Sequence, residues 1–465
     1  MMHLPSEIVL EILKYAGRDI APFLRINTQW FRCGISLVWS RVLSPAILRV
    51  PKHRRQIYAS EIRHFISWCR TSEQFKELGQ LSWPKLESLF VDFPERDGLA
   101  LADYMTSLEC YLGDRLRHLE LAGPFHPELL SFFRASCPQL REFSIKRSGP
   151  GLTPENLLTF LEESPSLTNL SIWSGELPLV TGQTLNHLAG RKNLQYLSLS
   201  EEKDIDAINA VNEPSPFPHL QNLDVSATEA TLSPLVSMVR CVRNLRISLA
   251  RLDDDDTFLS FDSVALRHVS TLVELQDLNL FIMGAMRIRN EDLLSLKNLT
   301  QLKRLSIEGH PLPSFTAPNF DDANFEELFT NLRQLEVLKL NISLFELTTD
   351  SLKSLGTCCP SLRQCDITEV CDLAAFRYEN TPLFSNLEFL RIDSFTNLER
   401  LCSWSRPYDH VRQLEKHFPK LQELECTFAE ALDEDELSEK IMQLWWKRQI
   451  NGKAKAARQP KRPRV

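Results

Sequence analysis

The chain has 465 residues, 43% of them hydrophobic and 25% charged, which supplies enough apolar mass for a sizeable core and excludes wholesale disorder. Its net charge of −8 argues against a protein that coats nucleic acid, and no apolar run approaches the roughly 20 residues of a membrane span. The opening Met1-Met2-His3-Leu4-Pro5-Ser6-Glu7 lacks a charged region followed by an apolar core, so the expectation is an intracellular protein, nuclear or cytoplasmic. Eleven cysteines without a Cys-x-x-Cys pair read as reduced, packed thiols, and no Cys/His grouping at ligand spacing calls for a metal or another cofactor.

Residues 3–42 read as a small helical module. Leu4-Pro5-Ser6-Glu7-Ile8 opens a helix, with Pro5 where a missing N–H costs nothing. Ile8, Ile12 and Tyr15 share one side, Val9, Leu13 and Ala16 lie alongside, and Gly17 is a natural stop. Asp19 is placed to cap a second short helix carrying Ile20, Phe23, Leu24 and Ile26. Thr28 is placed to cap a third, carrying Trp30, Phe31, Leu37, Val38 and Trp39. Three short helices make a marginal core and leave apolar surface uncovered, so such a unit is expected to complete its core against a partner.

Residues 43–85 form a linker in which Ile62-Arg-His-Phe65-Ile66 is a candidate divergent first repeat. The basic group Arg49, Lys52, His53, Arg54 and Arg55 before it reads as solvated surface. From Leu86 one frame recurs, Leu-x-x-Leu-x-Ile/Leu/Val. It appears at Leu86-Leu89-Val91, Leu116-Leu119-Leu121, Leu140-Phe143-Ile145, Leu167-Leu170-Ile172 and Leu194-Leu197-Leu199, and continues to Leu421-Leu424-Cys426. With 43% apolar residues, one such frame arises by chance at about 8% of starting points, so the information lies in a spacing of about 28 residues. Amphipathic stretches ending in proline precede many frames, as in Leu157-Leu-Thr-Phe-Leu-Glu-Glu-Ser-Pro165. Each unit reads strand, turn, helix and cannot bury its own apolar face, so stacked units share one core. The frames resemble leucine-rich repeats of the longer, helix-bearing type. The expected fold class is therefore α/β, a solenoid over 86–428 with parallel strands concave and helices convex.

The run Asp253-Asp254-Asp255-Asp256 reads as a solvated loop that could attract a basic segment. Residues 429–449 are expected to form a capping helix, with Leu437, Ile441, Leu444 and Trp445 at helical spacing. The tail 450–465 is too basic and polar to fold alone and looks like a nuclear import signal.

The N-terminal module resembles the F-box motif. The matching residues are Leu4-Pro5-x-Glu7-Ile8, Ile12, Asp19-Ile20, the turn through Leu24 and Ile26, Trp30, and Leu37-x-Trp39. Pro22, Asn27 and Gly34 depart from the family's pattern. The resemblance implies a substrate receptor of a Skp–cullin–F-box ubiquitin ligase, its partners a Skp-type adaptor, through it a cullin, and a protein to be ubiquitinated. It implies that Leu4, Pro5 and Ile8 contact the adaptor and that Trp30 holds the helices together. A scaffold built from the same two modules, without ubiquitin transfer, is the alternative.

In the repeat frame the apolar positions point inward and strand alternation turns their neighbours to the open face. Those neighbours include Phe90, Glu120, Lys146, Trp173, Tyr196, Asp224, Phe281, Arg304, Lys339, Asp366, Phe389 and Arg391. Exposed aromatics and arginines are the usual anchors of a protein interface, so Phe90, Trp173, Tyr196, Phe281, Arg304, Phe389 and Arg391 are the candidate substrate contacts, with Trp173 and Tyr196 the leading pair. No phosphate-cradling glycine loop, Gly-x-Ser-x-Gly elbow or His-Glu-x-x-His helix occurs, so the expectation is a non-catalytic adaptor.

Overall fold

The computed structural model describes residues 4–17, 20–69, 71–94, 101–149, 151–173, 178–200, 205–249, 262–283, 286–310, 315–317, 319–341, 347–367, 370–371, 373–395, 407–426 and 439–450. Asp19, the run Asp253–Asp256 and the tail 451–465 lie outside the described residues. The chain divides into two compact units, Met1–Glu201 with Asp206–Leu220, and Glu202–Ile205 with Gln221–Val465.

In the first unit the repeat frames become parallel strands. Arg41–Leu43, His64–Ser67, Ser88–Asp92, His118–Ala122, Glu142–Lys146, Asn169–Trp173 and Tyr196–Leu199 pair in sequence order. The sheet thus reaches back into the stretch read as a linker. The strand His64–Ser67 carries Phe65 and Ile66 of the stretch read as a divergent first repeat, whereas Arg41–Leu43 holds too little of the Leu-x-x-Leu-x-Leu frame for the pattern to find it. Arg55 corrects the solvated reading of the basic group: it is buried, with Nε donating to Val50 O at 2.8 Å and Nη2 to Leu48 O at 2.7 Å. Its third contact, Nη1 3.0 Å from Glu77 Oε1, completes a paired buried charge.

The second unit repeats the scheme with Asn222–Ala227, Asn244–Leu249, Asp277–Met283, Arg304–His310, Val337–Leu340, Gln364–Ile367, Phe389–Ile392 and Glu423–Cys426, again parallel. Most strands are entered through the same device. The carbonyl before one strand accepts two successive N–H groups of the next repeat, as when Arg141 O takes Thr168 N at 2.8 Å and Asn169 N at 3.1 Å. Gln276 O does the same for Lys303 and Arg304. Repeats are thereby coupled to their neighbours, and the frame residues Leu119, Leu170, Leu278 and Leu305 are fully buried beneath the sheet. This is an α/β solenoid of the leucine-rich-repeat type. The helices between the strands are short, and threonine caps several of them: Thr153 and Asn156 form a capping box at Pro154–Glu162.

At the C-terminal end of the described residues, 439–450 are helical and bury Ile441 and Trp445. Arg448 Nη1 lies 2.7 Å from Glu415 Oε2 on the helix Pro407–His417. That helix buries His417, whose ring sits 5.7 Å from that of Phe376. Burial first, and the Lys416 charge second, hold the His417 imidazole below the usual histidine range. The unfolded chain takes up this proton near pH 6.5, the folded one only at lower pH. The associated stability is full above about pH 6.5 and is lost as the pH falls through the depressed folded value. Urea unfolding of the second unit should therefore show a lower midpoint at pH 5.5 than at pH 7.5, and His417→Gln should remove part of that difference. An unchanged pH slope in His417→Gln would refute the assignment.

The N-terminal module consists of α1 (Ser6–Ala16), a 3-10 turn Phe23–Arg25 and α2 (Thr28–Trp39). Two of the three expected helices are present, and a single tight turn replaces the middle one. The cap of α2 is Asn27, not Thr28: its extended backbone lets the side-chain oxygen accept from Gln29 N at 2.9 Å and Trp30 N at 3.0 Å. Val9, Leu13 and Ile20 form the core, with Ala16, Phe23, Leu24, Trp30, Cys33 and Leu37 packed around it. Trp30 stacks on Phe23 at 5.8 Å between centroids, which ties the turn to α2. Gly34 is explained by the same packing. A Cβ there would stand 2.3 Å from Leu24 Cδ2 and 2.9 Å from Leu13 Cδ1, so any side chain at this position must push both leucine methyl groups aside. Gly34→Val is expected to destabilise the module by about 1–3 kcal/mol through overpacking. Faster amide exchange at Val9 and Leu13, with exchange in the repeats unchanged, is the expected readout.

Candidate functional site

Parallel register lines up equivalent positions of successive strands, so side chains on the open face of the first unit form rows running across the strands. The first row is His118, Glu142, Asn169 and Tyr196. The second is Glu120, Ser144, Ser171 and Ser198. The third is Ala122, Lys146 and Trp173. Serines in the middle row are short, whereas the flanking rows carry Tyr196, His118, Glu142, Lys146 and Trp173. Small residues between large ones leave a groove of about 340 Å³, with Phe143 and Leu170 lining it beside the serines.

The groove unites four of the positions read from the repeat frame: Glu120, Lys146, Trp173 and Tyr196. Trp173 is 45% exposed and its indole Nε1 donates to Ser198 Oγ at 3.1 Å, which holds the ring across the adjacent strand. Tyr196 is half-buried, and its hydroxyl makes no hydrogen bond among the described residues. Lys146 Nζ lies 2.5 Å from Glu120 Oε1, so that cation is matched by a full anion. Among the described residues, the ion-pair partner of Glu142 is the His118 imidazole, Nδ1 to Oε2 3.2 Å. His118, Glu142 and Asn169 were not among the candidates, although they occupy the frame position of Tyr196; position was the available signal, and residue type hid it.

The other candidates do not join this groove. Phe90 is half-buried on the second row, beyond Glu120, next to Ile66 and then Leu43. In the second unit, Phe281 is half-buried between Ser248 and Glu308. Arg304 Nε lies 3.2 Å from Asp277 Oδ2, and Arg246 Nη1 3.9 Å from Asp224 Oδ2. Arg391 sits between Asp366 at 2.9 Å and Glu425 at 2.5 Å, with its guanidinium 5.6 Å from the Phe389 ring centre. The Glu425 hydrogen bond raises the Arg391 pKa further, and burial raises the Asp366 carboxyl above its ordinary range. Arg304 and Arg391 are thus engaged by neighbouring strands, so each is a weaker anchor than an unpaired arginine.

A second surface lies on α1. Val9 and Leu13 point into the core, while Leu4, Pro5, Ile8, Ile12 and Tyr15 are exposed, Ile8 at 48%. Gln29 Nε2 donates to Leu4 O and holds that residue against the start of α2. Among the described residues no group of three His, Cys, Asp or Glu side chains could hold a metal ion.

No family model matches the chain. A stretch of 89 residues is 34% identical to the BTB/POZ domain-containing protein FBL11 of Arabidopsis thaliana, covering 19% of this chain and 9% of that protein. The chain thus matches about a tenth of that relative's length. Among solved structures, a chain of the Rad7 and Elc1 complex in yeast is similar with a TM-score of 0.42 and 13% identity, over 93% of this chain and 96% of that one. The Leptospira interrogans leucine-rich-repeat protein LIC12759 gives 0.42 and 14%, over 86% and 91%. The plant peptide hormone receptor RGFR1, solved in complex with RGF2, gives 0.33 and 13%, over 82% and 69%. By its own strand register and buried frame, the chain is a leucine-rich-repeat protein with a helical module at its N-terminal end.

Proposed function

We propose that this chain is the substrate-recognition subunit of a Skp–cullin–F-box type ubiquitin ligase. The helical module docks on a Skp-type adaptor and the repeat face presents the protein to be ubiquitinated. The observation that carries the reading is the division of α1 between covered and open residues: Val9 and Leu13 are fully buried, whereas Ile8 and Ile12 on the adjoining flank of the helix, and Leu4 just before it, stay exposed. A three-element module that leaves a contiguous apolar strip open has an incomplete core that a partner can finish. The F-box resemblance of these same residues supplies the partner's class. The chain contributes no bond chemistry in this role; it raises the local concentration of a target lysine beside a charged conjugating enzyme.

Mixing the purified chain with a purified Skp-type adaptor tests the reading directly. Co-elution as a stoichiometric complex in gel filtration is the expected result. Separate elution at micromolar concentrations would overturn it and favour the scaffold reading.

A further inference from the structure

We infer that Tyr58 is a positioning residue: it locks the N-terminal module to the repeats of the first unit, so that the docking side of α1 and the open face of the sheet move as one body. Its purpose rests on the receptor reading, because a target lysine is reached repeatedly only where its carrier stands at a set place relative to the adaptor.

The backbone gives the module no linker to bend. α2 ends at Trp39, Ser40 follows, and the first strand of the sheet begins at Arg41. The Ser40 carbonyl accepts Arg63 N at 2.9 Å and His64 N at 2.8 Å, the same double acceptance that joins one repeat to the next. A hinge needs element-terminal residues whose φ and ψ can change. Ser40 continues the helical conformation, with φ −63° and ψ −33°, and swinging its peptide plane would break both bonds at once.

Pinning at one point still leaves rotation about that point, and Tyr58 removes it. Tyr58 belongs to the short helix Arg55–Ala59, whose Ala59 is fully buried and whose Arg55 holds Val50 O and Leu48 O. From this base the Tyr58 ring reaches two residues of α2. Trp39 lies 4.4 Å away between ring centroids and tilted by 39°, and Phe31 lies 6.1 Å away and nearly perpendicular at 83°. Phe31 and Trp39 are about two turns apart on α2, so contact with both resists tilt as well as rotation of that helix. Arg54 adds its guanidinium 6.0 Å from the centre of the same ring.

Methyl residual dipolar couplings of the full chain provide the test, because they report how the module methyls of Ile8, Leu13 and Ile35 are oriented relative to the repeat methyls of Leu89, Leu119 and Ile145. One alignment tensor should fit both sets in the wild-type chain and in Tyr58→Phe, which keeps both ring contacts. Tyr58→Leu and, from the module's side, Trp39→Leu should each require two tensors while the urea midpoint of the repeats stays where it was. Two tensors in the wild-type chain, or a single tensor in both leucine variants, would overturn the proposal. The purpose is read in an assembly with adaptor, cullin and a charged conjugating enzyme. Ubiquitin should fall on a small fixed set of repeat lysines in the wild-type chain and in Tyr58→Phe, and spread to others in Tyr58→Leu at unchanged adaptor affinity. An unchanged lysine pattern in Tyr58→Leu would overturn the positioning role. A wild-type chain that keeps one tensor yet takes no ubiquitin strikes the receptor reading alone and leaves the Tyr58 lock standing.

Discussion

Leu4→Asp combined with Ile8→Asp should abolish adaptor binding while leaving the unfolding midpoint of the repeats unchanged. Both side chains are exposed in the free chain, Leu4 at 43% and Ile8 at 48%, so their replacement removes no core contact. With about half of each side chain already covered, burying the remainder against a partner contributes about 0.7–1.5 kcal/mol each, and the two together about 1.5–3 kcal/mol. That corresponds to a loss of about 10–10²-fold in affinity, to which the cost of desolvating two carboxylates is added. Leu13→Asp is the contrasting variant. Leu13 is fully buried in the same helix, so it should lose adaptor binding by unfolding the module, with loss of helical signal that the double variant does not show. If the double variant binds like wild type, α1 does not carry the docking face.

The largest stability effect is expected at Phe143. It is 1% exposed, its ring lies 4.5 Å from that of Phe160, and it sits under the strand that supplies Ser144 to the groove. Phe143→Ala should cost about 3–5 kcal/mol, the lost transfer energy plus the cavity left behind. Because a solenoid is stabilised mainly between neighbouring repeats, the loss should be concentrated in the repeats around Glu142–Lys146. Hydrogen exchange should accelerate there first, and urea unfolding should move to lower concentration. Phe143→Leu, which keeps most of the apolar volume, should recover most of the stability. An equal loss in both variants would mean that the ring pair, rather than burial, dominates at this position.

The frame leucines show how much was legible. A single Leu-x-x-Leu-x-Leu says little, yet its return every 28 or so residues requires a strand of fixed register in each repeat, and hence a face on which alternate positions line up. That reasoning reached Trp173, Tyr196, Lys146 and Glu120, which the groove brings together. It passed over His118, Glu142 and Asn169 because aromatic and arginine residues were favoured over position. Nor did it reveal that Arg304 and Arg391 have carboxylate partners on neighbouring strands. In the N-terminal module Asn27 and Thr28 are both competent caps, and only the extended backbone at Asn27 decides between them.

The periodic spacing of apolar residues by itself determined the repeat architecture, the inward set of leucines and the two-faced character of α1. These depend on local geometry, on periods of two and 3.6 that any chain must obey. Only the tertiary structure decided which open-face side chains are spent on one another and which remain available. It set Ser144, Ser171 and Ser198 in one row between larger neighbours, paired Lys146 with Glu120, and left Glu142 beside an imidazole. The reason is distance in the chain: these partners are a full repeat apart, and strand stacking, rather than any local rule, brings them within reach.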